Sequence, residues 1–138
     1  MAVQQTFNGT LLSKTFTDTA LQTSTDTLST GAYPTVALFI TVLGTASSSK
    51  IDVGVKAQYA NDNDWYDLAM ISTDYSNQVA KVTPFTLRFE GSTQIKVRVP
   101  IDTSGVQQIK VTGQSNDGAG SCLIKYAVLS DTTVGETL

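Results

Sequence analysis

The chain has 138 residues, 41% of them hydrophobic and only 15% charged, enough for one domain with a real core. Its formal charge of −3, no histidine and one cysteine exclude a His-based nucleophile, a zinc cluster and an internal disulfide. The nine Lys and Arg are scattered, so the basic stripe needed against a phosphate backbone is missing and no nucleic-acid partner is expected.

Residues 1–6 lack the basic start and apolar core of a secretory signal. Residues 1–30 read as an N-terminal arm or a pair of outer strands. Phe7, Leu11, Leu12 and Phe16 carry the apolar character, and a Thr-, Ser- and Asp-rich stretch follows with Leu21 and Leu28 as its large apolar residues. Residues 31–130 read as the body of the domain, with a strand and a turn every eight to twelve residues. Residues 36–43 form a continuous apolar strand, far short of the roughly twenty residues of a membrane span, so no membrane partner is expected. Ile51, Val53, Val55, Ala57 and Tyr59 then alternate with Asp52, Gly54, Lys56 and Gln58, the period of two shown by a strand with one buried face.

The Asn61-Asp62-Asn63-Asp64 cluster is a turn signal. Strands are predicted over residues 65–71 and 78–82, separated by a loop around residues 74–77. Residues 85–90 and 94–99 flank Gly91-Ser92 and read as a hairpin, with Phe85, Leu87 and Phe89 on one face and Ile95, Val97 and Val99 inward. Residues 106–112 form the next strand. The Asn116-Asp117-Gly118-Ala119-Gly120 turn precedes the last strand, in which Cys122, Ile124, Tyr126 and Val128 share a face. Cys122 is therefore read as a buried structural thiol. Residues 131–138 read as a frayed or partner-bound tail. No helical period persists, so the fold class is an all-β, two-sheet antiparallel sandwich. A jelly roll is the leading topology, and an immunoglobulin-like Greek key the alternative. Threonine is the commonest residue and lysines are few, which leaves strand edges to be covered by subunit contacts rather than by charge.

Each candidate site has a bland reading beside it. Asp62, Asp64, Asp67 and Asp74 offer carboxylates for a hydrolase, although Asp is common in turns for backbone reasons. Asp62-x-Asp64 also invites calcium, but Asp67 and Thr73 stand where the EF-hand pattern needs Gly and Glu. Trp65 and Tyr66, with Tyr59 and Tyr75 nearby, offer a stacking platform for a sugar; the alternative packs Trp65 in the core. Ser13-Lys14 and Ser49-Lys50 are adjacent in strands and so face apart. No cofactor, metal or catalytic residue is assigned, and the chain is read as non-enzymatic.

Three stretches carry a resemblance: 59–68 (Tyr59-Ala60-Asn61-Asp62-Asn63-Asp64-Trp65-Tyr66-Asp67-Leu68), Lys96-Val97-Arg98-Val99-Pro100, and the closing Ser121-Cys122-Leu123-Ile124-Lys125-Tyr126-Ala127-Val128. In this style the chain resembles small tailed-bacteriophage virion proteins, particularly jelly-roll capsid decoration (cement) proteins. The resemblance covers rather more than half the chain and forms no diagnostic motif. It implies a homotrimer, made in the host cytoplasm, that binds the major capsid protein on the outer surface of the virion and stabilises the shell. On that reading Phe7, Leu11, Leu12 and Phe16 are the partner-binding residues, unless they form a strand of their own domain. The alternative is a phage tail or baseplate component, or a carbohydrate (receptor) binding module using Trp65 and Tyr66.

Overall fold

The structure, a computed structural model, describes residues 4–31, 33–74, 79–84 and 86–130, with side chains described for 9–31, 33–68 and 86–128. Among the described residues there are twelve strands: β1 (Gln4–Thr15), β2 (Gln22–Thr23), β3 (Leu28–Ser29), β4 (Thr35–Leu43), β5 (Lys50–Tyr59), β6 (Tyr66–Asp67), β7 (Ala69–Asp74), β8 (Val79–Pro84), β9 (Thr86–Glu90), β10 (Ile95–Asp102), β11 (Val106–Ser115) and β12 (Ser121–Ser130). The expected tail at 131–138, Tyr75 and Phe85 lie outside the described residues.

Ten of these strands build two antiparallel sheets that pack face to face. The first has the order β1-β12-β4-β10; in the second β11 and β5 are central, flanked by β2 and β3 on one side and β6 and β9 on the other. The pairings are nested. β1 pairs with β12, β2 and β3 with β11, β4 with β10, and β5 with β9. A single long antiparallel ribbon rolled over itself gives this nesting, which is the jelly-roll arrangement rather than the immunoglobulin one. β6 and the separate β7–β8 hairpin are inserted at the apex of the ribbon, between β5 and β9.

Alternation fixes which face each strand buries. Val36, Leu38, Ile40 and Val42 of β4 meet Ile51, Val53, Val55 and Ala57 of β5, with Ile109 and Val111 of β11 and Cys122, Ile124 and Val128 of β12, in one core. Each fully buried aliphatic side chain of this kind contributes roughly 1.5–3 kcal/mol relative to exposure. Of three register shifts in these ladders, two adjust the buried pattern. One at Leu11 lets both Leu11 and Leu12 turn inward, and one at Gln107 lets Val106 and Ile109 share the buried face despite their odd spacing.

One expectation is corrected here. The segments at 85–90 and 94–99 are not a hairpin: β9 joins β5 in the second sheet, and β10 joins β4 in the first. The Gly91-Ser92 turn instead carries the chain between sheets, with the Gly91 N–H donating to the Ser49 carbonyl at 3.0 Å. Edge strand β10 carries Lys96, Arg98 and Pro100, charge and proline that deter pairing along that edge.

Candidate functional site

The N-terminal candidates belong to the domain's own sandwich. β1 pairs with β12 from Gln4↔Ser130 to Thr15↔Ser121, and Leu11, Leu12 and Phe16 are buried in the core. This is the strand reading rather than the arm reading, and in this fold those three side chains are not free to anchor a partner. Phe7 lies in the same strand, opposite Val128, and its side chain is outside the described residues.

The Asn61–Asp64 turn spends its polar groups on its own geometry. Asn61 adopts a positive φ of 64°. Asp62 Oδ1 accepts from the Asp64 N–H at 2.8 Å, and its Oδ2 accepts from the Tyr66 hydroxyl at 2.6 Å. The Tyr66 hydroxyl, then the Asp64 amide, hold the Asp62 carboxyl below the usual range, and the same carboxylate raises the Tyr66 phenol. Asp67 pairs with Lys56 across the strands at 3.0 Å. Among the described residues no three His, Cys, Asp or Glu side chains converge as a metal site would require.

Trp65 and Tyr66 do not make one platform, because neighbours along an extended chain face opposite sides. Tyr66 is exposed and its ring lies 6.0 Å from that of exposed Tyr59, tilted by 54°. Trp65 lies beneath the Lys110 ammonium, whose Nζ is 4.2 Å from its ring centroid. It is half-buried and stands outside the core cluster, which corrects the core-packing expectation. The reason is register: Lys110 is opposite Lys56, and Lys56 opposite Asp67, all on the outer face of the second sheet.

A second polar cluster, unexpected from the sequence, ties loops at one end of the sandwich. Asp117 accepts from Ser49 Oγ at 2.6 Å, from Ser115 Oγ at 2.9 Å and from the Ala119 N–H at 3.2 Å. Ser49 Oγ in turn accepts from the Ala46 N–H at 3.0 Å, and Asn116 Oδ1 accepts from the Lys50 N–H at 2.7 Å. The two hydroxyls, Ser49 first, hold the Asp117 carboxyl low. Both segments read as turns in the sequence, and only their pairing across 68 residues was invisible. Cys122 is buried in the core, where desolvation pushes its thiol up to about 12, so it is an inert structural side chain.

The outer face of the first sheet differs from all of these. Its cross-strand rows read Arg98–Phe39–Lys125–Thr10 and Lys96–Thr41–Leu123–Ser13. Phe39, Thr41 and the three cations line an open depression of about 580 Å³. Arg98 Cζ stands 6.0 Å from the Phe39 ring centroid. Among the described residues no carboxylate lies within ion-pair distance of Lys96, Arg98 or Lys125.

No family model matches the chain, and no curated protein matches it. Among solved structures it is similar to the crystal structure of SPBc2 prophage-derived protein YomS. The two are 17% identical and superpose with a TM-score of 0.44, covering 94% of this chain and 100% of that one. Among the described residues no helix is long and apolar enough to cross a membrane.

Proposed function

We propose that the chain is a non-enzymatic structural protein of a tailed-phage virion, a capsid decoration protein that binds the outer surface of the major capsid protein as a homotrimer and stabilises the shell. The observation that carries this reading is where the described polar side chains are spent. Asp62, Asp67 and Asp117 close turns, join strands and tie loops, and the thiol is inert. On the outer face of the first sheet, by contrast, three cations stand around an aromatic ring and meet no carboxylate among the described residues. A protein acting through area and surface complementarity needs such a face and no reactive group. The sequence resemblance to phage decoration proteins gives that face its partner.

The test compares particles of the encoding phage made with and without the chain. Particles lacking it should assemble and then lose their DNA at a lower temperature, and adding the purified chain back should restore the difference. Equal heat stability with and without the chain overturns the reading. The exposed Tyr59–Tyr66 pair favours a second reading, a glycan-binding module of the particle. A glycan screen in which binding is lost on Tyr66→Ala would turn the assignment that way.

A further inference from the structure

The outward cations of the two sheets are treated differently. On the second sheet three of the four, Lys56, Arg88 and Lys110 but not Lys50, have a partner within their own chain. Lys56 meets Asp67 at 3.0 Å, Arg88 grips Asp52 through two bonds of 2.8 and 2.9 Å, and Lys110 sits over Trp65. On the first sheet Lys96, Arg98 and Lys125 are exposed and, among the described residues, meet no carboxylate. Asp102, the acid on the same face of β10, is turned to its own loop, where it accepts from the Ser104 N–H at 2.9 Å. Strand spacing places Arg98 and Lys125 about 10 Å apart on either side of Phe39, with Lys96 about 7 Å along β10 from Arg98.

Edge protection accounts for two of these cations and fails for the third. Lys96 and Arg98 lie on edge strand β10, where charge deters unwanted pairing. Lys125 lies on β12, which is bonded to β1 on one side and β4 on the other and has no edge to guard. Nor does edge protection call for Phe39 and Leu123, both only half-buried between the charges.

We propose that this face is the docking surface of the chain, and that its occupant is an acidic protein surface whose carboxylates meet Lys96, Arg98 and Lys125 around an apolar contact on Phe39 and Leu123. The assignment rests on the structural reading above and names the chemistry of the shell face that the chain covers. Charge complementarity selects the occupant. The chain as a whole carries −3, so three cations gathered on one face favour that face for an acidic partner and help to steer and orient the encounter. A polyanion with closely spaced phosphates would need a longer basic track than three cations supply. Alternating cation and apolar rows match a folded protein face instead.

The experiment measures co-sedimentation with capsids assembled without the chain, at low and high salt. It uses the wild type and two double variants with the same change in net charge, Lys96→Glu with Lys125→Glu and Lys14→Glu with Lys50→Glu. Circular dichroism and thermal melts establish that each is folded. Wild-type binding should weaken with salt, K96E/K125E should lose at least about tenfold in affinity, and K14E/K50E should stay within about twofold. If wild type and K96E/K125E bind capsids equally, the docking face is wrong and the structural role stands. If the wild type binds no capsid at any salt, the structural role falls and the proposed occupant with it. Binding to heparin in place of capsids, lost in K96E/K125E, would overturn the acidic-protein assignment in favour of a polyanion.

Discussion

Asp117 shows how a single exposed carboxylate can organise one end of this fold. It accepts from Ser49 and Ser115 hydroxyls and from a backbone amide of its own turn, so ionisation and loop closure are linked. Because its folded-state carboxyl is held low, its contribution is complete above the unfolded value near pH 4 and is lost as pH falls through the folded value. Asp117→Asn should therefore melt lower than wild type at pH 7, and the gap should narrow progressively below about pH 4, as thermal melts across that range would show. Gly120, at φ 93°, has a different duty: a Cβ there would come within 2.6 Å of the Leu43 carbonyl. Gly120→Ala should cost about 1–3 kcal/mol in denaturant unfolding. Cys122, buried with its thiol pushed up to about 12, should resist thiol reagents in the folded protein and react on unfolding. The turn character of residues 61–64 and 116–120 was legible because Asn, Asp and Gly signal turns locally. The Ser49–Asp117 bond was not, since nothing local records which turns meet.

At the scale of elements, β1 is the instructive case. Its apolar residues are compatible with a strand or a detachable arm, and only pairing with β12 decides. The bulge at Leu11 left both readings open, because two adjacent inward leucines break the period of two that marks a buried face. Leu12→Ala should cost about 2–5 kcal/mol, against less than about 0.5 kcal/mol for Leu21→Ala at a 53% exposed site, both read by urea denaturation. Removing residues 1–17 should prevent folding rather than free an intact body, a loss visible by circular dichroism. The β9–β10 misreading has a related cause. Alternation with a Gly-Ser turn describes a hairpin and a crossing between sheets equally well, and the partners that separate them, β5 and β4, lie 32 to 67 residues earlier in the chain. The Trp65 reading failed because its placement depends on Lys110, which the sequence sets far away.

For the whole molecule, the nested ribbon separates two outer faces with opposite electrostatic habits. The second sheet pairs Lys56 and Arg88 with carboxylates and seats Lys110 over Trp65, whereas the first leaves Lys96, Arg98 and Lys125 around Phe39 with no carboxylate among the described residues. A sandwich class followed from alternation and turn spacing, but the segregation of charge required the register of β10, β4 and β12. Surface docking of this kind, repeated over a shell, gains its strength by avidity rather than by any one contact. The role proposed for this chain is that of a structural component of a phage particle. Its most direct test is the protein content of particles of the encoding phage, purified through a density gradient. The chain should travel with DNA-filled capsids in a fixed ratio to the major capsid protein, and its absence from those particles would contradict the account.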